Sequence, residues 1–396
     1  MSVNAVADPT DDSVPRPFRT GGVLAISVAH FIHDMYTSFL SPLLPLFIEK
    51  LSLSLTQAGF LTTIMQLPSL INPYIGIVAD RISVRWMVIL APSLTAVAMS
   101  LIGLSGSYGM LLLLLFVTGI GVAVFHVPSP VMVSRLSGDK KGKGMSFFMT
   151  GGELARTLGP IVAVAAVASV GLENLYVLMV FGLLISTWLF FQLKETPANI
   201  PRQGNRTVAG AWKTSRHVLI PLTGILTARG FMHASMVVFL PTYIMGETGN
   251  LWLAGSALTL FEACGVAGVL LAGPLSDRLG RRTLLMISLI GAPISIMVFA
   301  LSGGILRIIA LIAAGFTVLS TTPVMLALVQ ENAGDTPAAA NGLFMMISFM
   351  ARSAIVILVG WVADTIGLQT TYALSAFLGL FGLPFVFKLP KVENRI

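Results

Sequence analysis

Charge is what this chain has least of: Lys, Arg, Asp and Glu make up 10% of its 396 residues, against 55% hydrophobic ones. A water-soluble domain carries roughly 25% charged residues, so this composition cannot cover a surface that faces water. Cysteine is almost absent as well. The single one, Cys264, lies in an apolar run, which excludes a disulfide framework and a thiolate metal cluster and leaves a small packing residue. No basic n-region followed by a cleavage site opens the chain. Residues 1–21 are instead polar, with Asp8, Asp11, Asp12, Pro9, Pro15 and Pro17, and read as a disordered cytoplasmic tail. No nucleophile–base set and no phosphate-binding loop is present, so an enzyme is not expected.

What the chain does have is apolar runs of bilayer length, and a mean hydropathy of +0.88. They fall near 22–48, 56–79, 86–104, 109–134, 144–169, 172–193, 217–245, 251–275, 283–302, 305–330, 338–362 and 368–388. A run of about 20 apolar residues crosses the hydrocarbon as a helix, because lipid offers no partner for an unpaired backbone group. The fold class is therefore an all-α polytopic membrane protein with twelve transmembrane helices. A polar stretch, 194–216, divides them into six-helix bundles over 22–193 and 217–390, and 391–396 form a second cytoplasmic tail.

Twelve spans put both termini on one side. Assigning the connections alternately gives that side nineteen of the 24 Lys and Arg residues, while the other side holds two, Lys50 and Arg307. The positive-inside bias makes the first side cytoplasmic and the location the cytoplasmic (inner) membrane. The same bias accounts for the pI of about 9.8 without any nucleic-acid partner.

The two halves share a motif. Gly273-Pro-Leu-Ser-Asp277-Arg278-Leu-Gly280-Arg281-Arg282 has an earlier partial copy, Gly76-Ile-Val-Ala-Asp80-Arg81-Ile-Ser83-Val-Arg85, and its two aspartates are 197 positions apart. A period of half the chain means a doubled, pseudo-symmetric architecture. Both copies read as cytoplasmic gating loops. Their aspartates are expected near the starts of the helices that follow, against the positive dipole end. Their arginines are expected to reach across to the other half or to lipid headgroups, as a latch that breaks when the halves rock.

Six spans on either side of a linker, each half with this loop after its second span, resemble the major facilitator superfamily. Within it, the first half is similar to the fosmidomycin-resistance group of drug exporters. The residues that carry this likeness are His30-Phe-Ile-His33-Asp34, Gly119-Ile-Gly121, Phe125-His126, Ser137-Gly138, Gly151-Gly152 and Gly159-Pro160. Departures are Val127-Pro128-Ser129-Pro130 after Phe125-His126, and the charged Glu153 and Arg156. The resemblance implies a transporter fold in which every third helix is peripheral.

Ionisable residues inside a bilayer are costly and face protein or water, which makes them candidates for function. Here they are His30, His33 and Asp34 in the first span, His126 in the fourth, and Glu153 and Arg156 in the fifth. The second half adds Arg229 and His233 in the seventh span, Glu262 in the eighth and Arg352 in the eleventh. The third, sixth, ninth and twelfth have none in their interiors, which marks them as the lipid-facing set. His30 and Asp34 are one helical turn apart, as are Arg229 and His233 at the corresponding depth of the second half. Glu153 and Arg156 can pair on one helix face, either as a structural bridge or as part of a substrate site.

These ten residues are expected to line one midplane cavity for substrate and proton. The expected activity is proton-coupled secondary transport by alternating access. Export of a small anionic or zwitterionic antibiotic-like compound comes first, and uptake of an organic acid or metal chelate second. No cofactor is expected, the proton being the coupling ion. No metal is expected either, since only His30, His33 and Asp34 are neighbours in sequence. The partners are a small-molecule substrate and the bilayer, and the protein is expected to be a monomer.

Overall fold

The computed structural model describes residues 17–72, 74–75, 84–138, 140–194, 208–334 and 337–390. Gly76, Asp80 and Arg81 of the first gating loop lie outside the described residues, as do most of the linker and both tail ends. The described residues are helical throughout, with no strand among them.

The first half comprises α1 (Thr20–Thr37), α2 (Leu40–Leu51), α3 (Leu55–Gln66), α4 (Arg85–Ser100), α5 (Tyr108–His126), α6 (Pro128–Leu136), α7 (Lys141–Val170) and α8 (Met179–Gln192). The second comprises α9 (Val208–Thr248), α10 (Leu251–Leu279), α11 (Arg281–Leu301), α12 (Gly304–Glu331), α13 (Pro337–Ile366), α14 (Leu368–Gly379) and α15 (Leu383–Val386). Eleven helical stretches among the described residues are long and apolar enough to cross a bilayer. The second expected span, 56–79, is not one of them, and residues 73 and 76–79 of it lie outside the described residues. Its helix runs to Gln66 and passes into a 3₁₀ turn at Leu67–Ile71, because Pro68 has no N–H to give and its ring crowds the preceding turn. Proline also divides the first span: Pro42 cannot donate to Ser38, and the chain turns there between α1 and α2. At the linker the helix begins earlier than the sequence suggests, at Val208 and not 217.

Side chains such as Leu301, Ile305 and Leu270, 71%, 77% and 68% exposed, would be untenable in water and are ordinary against lipid tails. The two halves repeat each other's packing. α1 packs on α7 as α9 does on α13, α3 on α5 as α10 on α12, and α4 on α8 as α11 on α14. This is the doubled architecture that the loop motif implied.

The halves meet along α3 with α13, α7 with α10, and α2 with α9. Gly59 and Gly360 let α3 and α13 cross backbone to backbone: a Cβ on Gly59 would lie 2.8 Å from the Val356 carbonyl oxygen. The hydroxyl of Thr63 donates to the Ser353 carbonyl across the same seam, at 2.9 Å. Near its end, α13 presents Asp364 to the start of α3. Its carboxylate accepts from the N–H of Leu55 (2.7 Å), the N–H of Thr56 (2.9 Å) and the Thr56 hydroxyl (2.5 Å). The first N–H groups of a helix have no partner within it, and here the other half supplies one. All these contacts lie on the side opposite the termini, so the molecule is closed at that face.

The second gating loop is shorter than expected. Asp277 and Arg278 sit in the last turn of α10, and Gly280 alone, with φ of 89°, separates α10 from α11. Asp277 therefore does not stand at a helix start. It pairs with Arg281 at 2.7 Å, and Arg281 also pairs with Glu331 at the end of α12, at 2.8 Å. Arg282 donates to the Phe387 carbonyl at 3.2 Å. In the first half, Arg85 donates to the Phe190 carbonyl at 3.0 Å. Among the described residues these arginines tie helices together within one half; they do not bridge the halves as the sequence suggested.

Replacing Asp364 with Ala removes a helix cap worth about 1 kcal/mol and shifts the closed–open balance roughly fivefold toward separation at that face. The expected readout is a several-fold faster alkylation of a cysteine placed at Ser353, measured against the same cysteine with Asp364 intact.

Candidate functional site

Asp34 is in the last turn of α1, just before the chain turns at Ser38. The backbone carbonyl of Asp34 accepts from the Thr37 hydroxyl (2.9 Å) and the Ser38 hydroxyl (2.8 Å), which satisfy the helix end where it unwinds. The Asp34 side chain is buried, and three imidazoles surround it. His30 Nε2 lies 3.2 Å from Oδ2, His126 Nε2 3.2 Å from Oδ1, and His33 Nδ1 2.9 Å from Oδ1. His30 and His33 come from the same helix. His126 comes from the last residue of α5, which ends there because Pro128 follows.

The outer nitrogens are held too. His30 Nδ1 is 2.7 Å from the Phe148 carbonyl oxygen on α7, and His126 Nδ1 is 3.1 Å from the Val122 carbonyl oxygen. His33 Nε2 is 3.1 Å from the Thr95 hydroxyl on α4. The rings stack on aromatic neighbours, His30 on Phe148 with centroids 4.0 Å apart and His33 on Phe125 at 4.5 Å. Gly152 completes the pocket: a Cβ there would lie 2.5 Å from the His30 ring.

A carbonyl oxygen only accepts, so His30 and His126 each carry their Nδ1 hydrogen whatever their charge. Their Nε2 atoms both face one carboxylate. With Asp34 ionised and each Nε2 bare, lone pairs would oppose lone pairs at both contacts. Favourable contacts require hydrogens on the Nε2 atoms, a hydrogen on the carboxyl group, or a cation between them. His33 is different, because it can donate from Nδ1 to Asp34 and accept at Nε2 from Thr95 while neutral. The three imidazoles are thus not equivalent: His33 is satisfied while neutral, and His30 and His126 are not.

The remaining sequence candidates lie on α7 and on the helices of the second half. Glu153 and Arg156 pair directly on α7, and the Arg156 side chain is 51% accessible. α7, which carries Arg156, packs on α10 of the other half. In the second half the buried Arg229 donates from Nε to the Val318 carbonyl (2.9 Å) and from Nη2 to the Thr322 hydroxyl (3.1 Å), both on α12. Arg352 sits over the Phe349 ring at 5.7 Å. Among the described residues neither arginine has a carboxylate within ion-pair distance. Arg229, Arg352, Arg156, His233 and Glu262 are near enough to act on one another through space.

Sequence reasoning named these ten side chains but missed their supports. Thr95 and Thr322 carry no charge and sit on helices that looked like plain apolar runs, and Phe125 and Phe148, on spans that do carry ionisable residues, gave no sign of stacking on imidazoles. Asp364 did have a signal: Gly360-Trp-Val-Ala-Asp364-Thr-Ile-Gly367 repeats the Gly-x-x-x-Asp-x-x-Gly spacing of Gly273 to Gly280.

Comparison with known proteins agrees with the architecture. The family model described as Major Facilitator Superfamily matches residues 26–353 and 225–395. The chain is 28% identical to the Fosmidomycin resistance protein of Escherichia coli (strain K12), over 94% of this chain and 93% of that protein. Among solved structures it is similar to a bacterial homolog of the human lysosomal transporter Spinster in an inward-facing, unoccupied conformation. That likeness has a TM-score of 0.76 and 15% identity, covering 95% of each chain. A D-xylose-proton symporter also has a TM-score of 0.76, with 15% identity, over 96% of this chain and 100% of that one.

Gly152→Ala should push His30 off its stacked position and cost about 1–3 kcal/mol, the usual range for overpacking a filled site. A lowered unfolding midpoint of the purified protein checks it.

Proposed function

The chain belongs to the Major Facilitator Superfamily, and on that premise we propose that it is a proton-coupled secondary transporter that exports a small zwitterionic or anionic antibiotic-like compound. Proton coupling is carried by Asp34, held between two imidazoles whose Nδ1 hydrogens are fixed and whose Nε2 atoms both face the carboxylate. Such a group changes charge in single steps at a buried position, which is what a coupling site must do. Transport proceeds by rocking of residues 22–193 against 217–390, with the closed seam of α3 and α13 parting as the terminus side closes. In this reading both termini lie in the cytoplasm and the protein works as a monomer in the inner membrane.

The sign of the coupling follows from substrate charge. Arg229 and Arg352, without carboxylate partners, suit an anionic group. A substrate with a cationic end as well would bring that end toward His126, the most accessible member of the Asp34 cluster at 35%. Protonating the cluster repels the cationic end, so proton and substrate bind alternately, as exchange requires. A purely anionic substrate is instead drawn to the protonated cluster, which favours movement of both in one direction. Export of a zwitterion is the first reading, supported by the likeness to the Fosmidomycin resistance protein. Uptake of an organic acid is the second, favoured by the two uncompensated arginines.

Asp34→Asn is expected to abolish accumulation driven by a pH gradient in proteoliposomes while the protein stays folded; gradient-driven transport at the unsubstituted rate would remove Asp34 from coupling. Arg229→Gln should weaken substrate binding at least tenfold, about 1.4 kcal/mol, measured by ligand stabilisation of the purified protein with phosphonates and organic acids as probes. Cells lacking the protein should accumulate an exported drug and become sensitive to it. Failure to grow on an organic acid would favour uptake.

A further inference from the structure

We propose that the cluster of His30, Asp34 and His126 is also a binding site for one divalent transition-metal cation of the zinc class, with these three side chains as ligands and one position open to the cavity. His30 Nε2, His126 Nε2 and an Asp34 carboxylate oxygen all lie within 4.8 Å of one another. Each histidine nitrogen is already 3.2 Å from the carboxylate. His30 Nε2 faces Oδ2 and His126 Nε2 faces Oδ1, so each carboxylate oxygen already has one imidazole at about the 3.3 Å that separates neighbouring donors around a zinc ion; the two imidazoles must draw together around a cation held by either or both oxygens.

The surroundings are those of a ligand set and not of a chance cluster. A metal-bound histidine donates its other nitrogen hydrogen to a carbonyl or carboxylate, which fixes the lone pair toward the ion. Here His30 does so to Phe148 and His126 to Val122. The carboxylate has its own support in His33 Nδ1, which Thr95 positions in turn. Asp34 lies in the last turn of α1 and His126 is the last residue of α5, and helix C-termini carry partial negative charge that favours a cation. Arg156 stands nearby, but Glu153 pairs with it and offsets its charge.

The donor chemistry selects the metal. Two imidazoles and one carboxylate suit zinc, cobalt or nickel, whereas calcium and magnesium require oxygen ligands in greater number. Three protein ligands leave the fourth position for water or for an anionic group entering past His126. The cation takes the same Nε2 lone pairs as protons do, so it competes with them. Binding is nevertheless read without transport, and its outcome is independent of whether Asp34 couples protons.

The test uses the full chain, purified with a tag that contains no histidine, and Co²⁺ and Zn²⁺ as the probes. One equivalent of Co²⁺ should give the intense visible band of a four-coordinate nitrogen and oxygen site, displaced by Zn²⁺. His30→Gln and His126→Gln should each weaken binding at least tenfold, and His33→Gln, which removes support and no ligand, about tenfold. His217→Gln, on the exposed start of α9, should leave it unchanged. A second measurement needs no variant: Zn²⁺ should protect His126, and not the exposed His217, from an acylating imidazole reagent read by mass spectrometry. Absence of a saturable one-to-one band, binding that survives both ligand substitutions, or equal modification with and without Zn²⁺ would overturn the proposal.

Discussion

A carboxylate cannot remain uncompensated in the middle of a bilayer, and the first half of this protein is built around that constraint. Asp34 is buried, so its charge must be met by hydrogens or positive charge within reach. Three imidazoles meet it, and each is fixed in turn by a carbonyl, a hydroxyl or an aromatic face. The supports come from α4, α5 and α7, so the packing of the whole half converges on one side chain. A protein that needed only stability at this point would place leucine there. Keeping a carboxylate with two imidazoles whose favourable contacts need added hydrogen or a cation is a cost that packing alone does not require.

The second half solves the repeated geometry differently. At the positions equivalent to His30 and Asp34 it has Arg229 and His233, and Arg229 is held by α12, the repeat mate of the helix that supplies His126. One bundle thus presents a carboxylate among imidazoles where the other presents a guanidinium held by neutral oxygens.

Much of this was legible in the sequence, and the reasons are local. The length of the apolar runs, their division at the polar linker and the repeated Gly-x-x-x-Asp-Arg motif depend only on composition and spacing. The pairing of His30 with Asp34, and of Glu153 with Arg156, follows from helical periodicity. Contacts made by tertiary packing were not legible. Nothing in the stretch around His126 says that it will meet Asp34, and nothing marks Thr95 or the Phe148 carbonyl as partners. The break in the second span needed the effect of Pro68 on a helix that looked continuous. Asp277 was misplaced because a polar run at a helix end reads as a loop, when Gly280 alone makes the turn. The early start of α9 was hidden by polar residues, Lys213, Thr214, Ser215 and Arg216, that are good enough helix formers once packed.

The unbroken course of α9 has a mechanical meaning. From Val208 to Thr248 it has 41 residues, a rod of about 60 Å at 1.5 Å per residue, roughly twice the hydrocarbon thickness. Its first turns therefore project past the lipid on the terminus side, where His217 touches Asn332 at the end of α12. Pro221 and Pro241 interrupt its hydrogen-bond ladder at two points without ending it, so one helix joins the terminus side to the far rim, where α9 lies against α2.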